Sequence, residues 1–308
     1  MRVAVLGAGA MGCLYGAALH RGGAEVTFVD VNPEHIATIN ANGLELERRS
    51  GTEHLPIPAV QPEDLQGPLD LVLVFTKTFM TDTALSGIAR AIGPDTRLLT
   101  LQNGLGNEKQ LAKHADEARV LVGVSSLPSD LVGPGRVRSH GVGGTKLYPA
   151  FPSGDPAFAE TVAALLTKGD LDATADPQIH EAVWSKAIFN ATMNPLCALT
   201  RRTPGFLGAH EESRAMIRTA VDEGIAAAHA NGVMVDGQAI HDLTGVSVTD
   251  HADHEASMLQ DVKAGRRTEV DAINGAIVEA ARAKGVATPL LETFWRFVKL
   301  DEAKLAGE

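Results

Sequence analysis

The chain opens with an apolar run, Arg2-Val3-Ala4-Val5-Leu6, that breaks into Gly7-Ala8-Gly9-Ala10-Met11-Gly12 and then continues from Cys13 to Arg21 at helical spacing. A short continuous apolar run bounded by turn residues reads as a buried parallel strand, and Gly22-Gly23 can end the helix. Strand, glycine turn and helix together constrain the fold more than any other stretch. Gly7 permits the tight turn, Gly9 lets a pyrophosphate approach the backbone, and Gly12 lets the helix lie close to the strand. The helix N-terminus then turns its amides toward an anion, and Ala10 and Met11 between the glycines join the candidate cofactor-binding residues.

A second strand, Glu25-Val26-Thr27-Phe28-Val29, ends in Asp30. That acid lies about 20 residues past the turn, where a carboxylate hydrogen-bonds a ribose. It would repel a 2′-phosphate, so Asp30 favours NAD(H) over NADP(H). A competing reading makes Asp30 a cap for a helix beginning near Asn32-Pro33.

Further α/β units follow. Leu69 to Phe75 is a strand ending in Thr76-Lys77-Thr78, Thr83 to Ile92 is helical, and Thr96 to Leu101 is another strand. Ligands of an open parallel sheet bind beyond the carboxyl ends of its strands, which places Lys77 and the whole Gln102-Asn103-Gly104-Leu105-Gly106-Asn107 turn near a cofactor or substrate. The plainer readings are a solvated lysine and a simple Asn-Gly turn. Val120 to Val124 adds a strand, and Gly135 to Ser139 with Gly144 to Tyr148 is expected as an antiparallel addition that closes the sheet. Pro156 to Lys168 is an amphipathic helix and Leu171 to Thr174 a last short strand.

At 308 residues the chain exceeds what one core usually fills, so two domains are expected: residues 1–176 as a dinucleotide-binding α/β domain and 177–308 as a helical domain for substrate and dimerisation. In the second half, Ile179 to Thr200, Glu211 to Asn231, Gly237 to Gly245, His254 to Ala264, Glu269 to Lys284 and Pro289 to Lys304 all carry helical periodicity. With 27 basic against 38 acidic residues, the formal charge of -11 opposes nucleic acid and acidic membranes. Cys13 and Cys197 are far apart in apolar settings, as in a reducing cytoplasm. The N-terminal apolar run is too short for a secretory signal and no apolar window approaches membrane-spanning length, so a soluble cytoplasmic protein is expected.

Within the helical half, Lys186, Asn190 and Asn194 stand at i, i+4 and i+8 among Trp184, Ala187, Ile188, Ala191 and Met193. On a helix they form one polar stripe, and Lys186 at a half-buried boundary needs either a partner or a task. A snorkelling lysine with two asparagines bonded to loops is the alternative. Ser257-Met258-Leu259-Gln260-Asp261 leads through Gly265 to Thr268-Glu269, where Thr268 can cap a new helix and Glu269 stands in its first turn or serves a site. Asp250-His251-Ala252-Asp253-His254-Glu255 gathers two imidazoles and several carboxylates, but at no zinc spacing, so no metal is expected.

These blocks resemble the ketopantoate reductases (2-dehydropantoate 2-reductases): the glycine turn, Thr76-Lys77, Leu101-Gln102-Asn103-Gly104, Trp184-Ser185-Lys186 with Asn190 and Asn194-Pro195, and Ser257 to Asp261 running on to Thr268-Glu269. The resemblance spans nearly the whole chain. It implies a Rossmann domain with a mostly parallel sheet, an all-α domain like that of 6-phosphogluconate dehydrogenase, and an active site between them; the few charges in Ala191 to Leu199 fit a homodimer. It further implies that Lys186 is the general acid and Glu269 the active-site glutamate, in contact with the cofactor as well. Asn103 and Asn190 would contact substrate and nicotinamide, Asn194 the substrate, Ser257 the carboxylate end of a 2-oxo acid, and Lys77 the cofactor. The resemblance admits NADP(H), yet Asp30-Val31-Asn32 stands where family members often carry an arginine. His254 and Arg201-Arg202-Thr203-Pro204 also depart from the family pattern on the substrate side. Reduction of another small branched 2-oxo acid, oxidation of a hydroxy acid, and a nucleotide sensor without turnover are the alternatives.

Overall fold

Strands buried on both faces read as unbroken apolar runs, and those of the first half become a parallel sheet. The computed structural model of the protein describes residues 1–140 and 143–305, so residues 306–308 of the expected second domain lie outside it. By packing, Met1–Gln102 and Asn107–Ile179 form one unit, while Asn103–Gly106 group with the chain from His180 onward in a second.

In chain order the first unit contains β1 (Arg2–Leu6), α1 (Ala10–Gly22), β2 (Glu25–Val29), α2 (Pro33–Asn42), β3 (Leu44–Arg48), β4 (Gly51–Leu55), β5 (Ala59–Val60), β6 (Leu71–Val74), α3 (Thr81–Gly87), β7 (Arg97–Thr100), α4 (Asn107–Leu111), β8 (Val120–Ser125), β9 (Ser129–Gly133), β10 (Arg136–Ser139), β11 (Thr145–Pro149), α5 (Pro156–Lys168) and β12 (Ala173–Ala175). Its main sheet runs β12-β11-β8-β7-β6-β1-β2-β5. Neighbours pair in parallel except β8 with β11. Strand order reverses between β1 and β6, because β2 and β5 lie on one side of β1 while β6, β7 and β8 lie on the other. The glycine turn after β1 therefore stands at the switch point, where open α/β sheets bind ligands. Leu14, Leu19, Phe28, Leu71 and Leu73 belong to the buried cluster that joins α1 to the sheet.

The structure corrects two expectations in this unit. Residues 136–139 do not extend the main sheet; with β3, β4 and β9 they form a second sheet ordered β4-β3-β10-β9. Arg136 and Arg138 of β10 stand opposite Glu45 and Glu47 of β3, with ion pairs at 3.0 Å each, while Val137 meets Leu46 in the core. These cross-strand pairs favour β3 as the partner, and a local turn pattern carries no sign of them. The helix expected over Thr83–Ile92 stops at Gly87, and a short 3₁₀ turn, Ala89–Ala91, completes it.

The second unit is helical: α6 (Ile179–Thr200), α7 (Pro204–Ala209), α8 (Glu211–Ala230), α9 (Gly237–Thr249), α10 (Ser257–Lys263), α11 (Ala276–Ala283) and α12 (Pro289–Leu305). The helix expected from Glu269 to Lys284 instead begins with a π-helical turn, Asp271–Gly275, in which the Ala276 N–H reaches back to Asp271 O. Its core gathers Ile188, Cys197, Val221, Leu259, Ile273, Ile277 and Leu291. Among the described residues no helix is long and apolar enough to cross a membrane. Phe28 is fully buried in the first unit. Phe28→Ala is expected to lower that unit's unfolding free energy by about 3–5 kcal/mol, read by chemical denaturation; a loss below about 1 kcal/mol would mean that the site collapses around the missing ring.

Candidate active site

The glycine turn is held open from beneath. Gly7 has φ of 95°, and a Cβ there would come within 2.7 Å of Thr76 N. A Cβ on Gly12 would meet Gly7 O at 2.0 Å, so only glycine lets α1 start this close to the turn. A Cβ on Gly9 would touch nothing within 4 Å, which leaves the backbone approachable at the N-terminus of α1. The helix offers first-turn amides from Ala10 and Met11 toward this space, a geometry suited to a phosphate.

Asp30 does more than the sequence suggests. Its Oδ2 accepts the Ala8 N–H at 2.9 Å and its Oδ1 the Asn32 N–H at 2.9 Å, so the carboxylate braces the glycine turn. The cap of α2 is Asn32, whose Oδ1 accepts from the Glu34 and His35 amides; the helix-cap reading of Asp30 is thereby corrected. At the ends of β6 and β7, the Gln102 amide donates to Thr76 O at 2.6 Å and to Thr81 Oγ1 at 2.9 Å. It ties the Thr76-Lys77 corner to the next strand and leaves Lys77 half-buried as the residue that begins a 3₁₀ turn.

In the second unit, Lys186, Asn190 and Asn194 lie on the continuous helix α6, and both asparagines are buried. Lys186 is half-buried. Burial pushes its ammonium down from the ordinary 10.5 to about 8, while the carboxylate of Glu269 acts in the opposite direction. The structure thus brings Lys186 and Glu269 into electrostatic contact, and with them Asn190, whose Nδ2 donates to Asn103 Oδ1 at 3.4 Å. Asn103 reaches this group because the Leu105 N–H bonds Ala272 O at 3.0 Å.

Glu269 stands just before the π-helical turn. Beside it the buried Thr268 Oγ1 accepts the Val270 N–H and donates to Glu302 at 2.6 Å. Lys299 bonds both Asp271 and Glu302, so α12 fixes the segment that carries Glu269. Ser257 is exposed as the first residue of α10. Glu255 of the acid–imidazole stretch is paired with Lys263, and among the described residues no group of His, Cys, Asp and Glu is arranged to hold a metal ion.

Sequence reasoning placed Gln102 in the turn without its bracing bonds, and missed Asn274. Asn274 is 0% exposed and its Nδ2 donates to Ala191 O at 2.8 Å. Two signals pointed to it: an Asn-Gly pair inside an apolar helical pattern, and Pro195 inside α6, which leaves a carbonyl needing a donor.

The depressed pKa of Lys186 has a consequence for stability. Unfolded, the amine titrates near 10.5; folded, near 8, so between these values the unfolded chain holds the extra proton. Stability therefore rises as pH climbs through that window, and the cost of burying the ammonium is fully present below pH 8. The gain from Lys186→Met should be larger at pH 7 than at pH 10 by on the order of 3 kcal/mol, measured by chemical denaturation. An equal effect at both pH values would show that burial does not shift this amine.

Residues 3–150 match the family described as ketopantoate reductase PanE/ApbA, and residues 178–302 match its C-terminal counterpart. The chain is 34% identical over 306 residues to the 2-dehydropantoate 2-reductase of Streptococcus pyogenes, covering 99% of each. It is 34% identical over 304 residues to that of Halobacterium salinarum, covering 97% of this chain and 98% of the relative. Among solved structures, D-mandelate dehydrogenase in its ternary complex with NADH and anilino(oxo)acetate superposes with a TM-score of 0.94 at 31% identity, covering 99% of this chain and 100% of the other. A PanE/ApbA family ketopantoate reductase from Ralstonia eutropha gives a TM-score of 0.89 at 32% identity with the same coverage. With its α/β unit, its helical unit and both halves matched, the chain belongs to the ketopantoate reductase PanE/ApbA family of oxidoreductases.

Proposed function

We propose that this protein transfers hydride between NAD(H) and a small branched 2-oxo acid, ketopantoate being the first candidate, with Lys186 as the general acid. The observation that carries the reading is the Lys186 ammonium, whose pKa burial brings to about 8 in company with Glu269. A general acid works best when its pKa lies near the operating pH, and an unperturbed lysine is too weak a donor near neutrality. A nicotinamide cofactor with its pyrophosphate at the glycine turn would supply the hydride. Gly7, Gly9, Ala10, Met11 and Gly12 would hold the pyrophosphate, Asp30 the ribose, and Lys77, Asn103 and Glu269 would contact the cofactor. As negative charge builds on the carbonyl oxygen, Lys186 Nζ stabilises it and gives up its proton. Asn103, Asn190 and Asn194 would orient the substrate, Ser257 would take its carboxylate, and Glu269 would keep the amine charged.

Asp30 supports NAD(H), since a carboxylate at the strand end accepts ribose hydroxyls and repels a 2′-phosphate. NADP(H) is the cofactor this reading disfavours. A second reading, NAD-linked oxidation of a 2-hydroxy acid, draws on the likeness to D-mandelate dehydrogenase, whose complex contains NADH. Cys13 and Cys197 are buried without a disulfide, as a cytoplasmic enzyme would keep them.

A panel of 2-oxo acids including ketopantoate, assayed with NADH and NADPH, tests the proposal. NADH oxidation with a branched substrate is expected, at least tenfold faster than with NADPH. Turnover with no member of the panel would favour a nucleotide sensor and sink the reading. Lys186→Ala should lose at least about a hundredfold in kcat with little change in cofactor affinity, the usual scale for a general acid. In the parent enzyme, reduction should fall as pH rises through about 8, where Lys186 loses its proton, and oxidation should rise through the same value. A reduction profile flat up to pH 10 would remove Lys186 from proton transfer.

A further inference from the structure

A proline inside a helix removes the donor to the carbonyl four residues earlier, and for Pro195 of α6 that carbonyl belongs to Ala191. Ala191 and Asn274 are both fully buried, and the Asn274 amide donates to this orphaned oxygen at 2.8 Å. The bond is local in space but links residues far apart in sequence, one on α6 and one on the π-helical turn. Ala191 lies between Asn190 and Asn194, so the bond falls within the part of α6 that carries both asparagines.

The same π-helical turn holds a second segment. Ala272 O accepts the Leu105 N–H at 3.0 Å, and Gly104, with φ of 90°, lies so close that a Cβ would meet Ala272 O at 2.1 Å. One stretch of backbone therefore grips the Asn103 segment through Ala272 and α6 through Asn274. Asn103 and Asn190 meet between these two holds, Nδ2 to Oδ1 at 3.4 Å. Packing alone does not account for the asparagine: its Oδ1 is buried without a hydrogen-bond partner among the described residues, and an apolar side chain would leave no such atom. π-Helical turns are uncommon and concentrate at functional sites.

We propose that Asn274 is a positioning residue, whose side-chain amide replaces the backbone donor that Pro195 removes and so fixes the Asn190–Asn194 turn of α6 against Asn103. The proposal rests on the oxidoreductase reading above for its effect on turnover, and on the hydrogen bond alone for its effect on the helix. Asn274 touches neither substrate nor cofactor in this scheme; it acts through the two asparagines.

The replacement can be reversed, since Pro195→Ala returns a backbone N–H to Ala191 and makes the amide redundant. Wild type, Asn274→Ala, Pro195→Ala and the double variant are compared for steady-state reduction of the best 2-oxo acid in the panel with NADH, and for thermal unfolding. Asn274→Ala should lower kcat/KM for the oxo acid at least tenfold while KM for NADH stays within twofold. Pro195→Ala alone should stay within about threefold of the parent, and the double variant should recover to within threefold of Pro195→Ala. Asn274→Asp, nearly the same shape but without a donor when ionised, should behave like the alanine variant and serves if that one folds poorly. A loss of the same size in both backgrounds, or one that falls equally on KM for NADH, overturns the proposal. If wild type turns over no oxo acid, the function reading fails, and the melting temperatures alone decide: the drop caused by Asn274→Ala must shrink in the Pro195→Ala background, and an unchanged drop overturns the role assigned to Asn274.

Discussion

Taking a protonated amine out of water is among the most expensive local choices a protein makes, and the arrangement of the helical unit follows from having made it at Lys186. Burial lowers the affinity of that amine for its proton, and Glu269 restores part of it. The carboxylate is 83 residues away in sequence. Glu269 takes its place because its neighbour Thr268 accepts the Val270 N–H and donates to Glu302, which Lys299 links to Asp271. The charge on Lys186 is thus balanced by a carboxylate that α12 holds in place, and a change in α12 would be felt at the amine.

The α/β unit follows a different constraint, the closeness of backbones at the switch point of the sheet. Gly7 and Gly12 are glycines because Thr76 N and Gly7 O occupy the positions where Cβ atoms would be. Asp30 accepts the Ala8 N–H and so braces the turn, at the strand end where the proposed function would place a ribose. Changing Asp30 to alter cofactor choice would therefore also loosen the turn, so part of any loss in such a variant belongs to the brace and not to the ribose. On the proposed reading, preference between nicotinamides and the shape of the glycine turn would be coupled through one carboxylate.

Much of this architecture could be read from residues in order. β1, the glycine turn, α1 and β2 follow from apolar runs and punctuation, and α5, α6, α8 and α12 from periodicity, because these signals are local. The second sheet was not legible, since β10 takes β3 as its partner through Arg136–Glu45 and Arg138–Glu47, and a choice of strand partner is a long-range matter. The stripe of Lys186, Asn190 and Asn194 was legible as helical spacing, but the fall in the Lys186 pKa was not, because it depends on what surrounds the amine from distant parts of the chain. The bracing bonds of Gln102 and the Asn274 amide escaped for the same reason. Each satisfies backbone groups whose need appears only when strand ends and helix turns are in place.

The centre of α6 departs from what stability alone would select. From Ala191 to Ala198 the helix is buried throughout, a setting in which apolar side chains bury the most surface and leave no polar atom to satisfy. Yet this stretch contains Thr192, whose hydroxyl is buried without a partner among the described residues, together with Asn194 and a proline, and Asn190 immediately precedes it. Polar groups and a proline in a buried helix each cost free energy, and such local conflicts concentrate where a site demands them. Here they fall within three turns of Lys186, whose pKa burial brings down to about 8. A helix serving only as scaffold would shed them readily, since replacement of Asn190, Asn194 or Thr192 by leucine-like side chains meets no charge to compensate. Their concentration beside Lys186 argues that this segment of α6 is shaped by chemistry and only secondarily by packing.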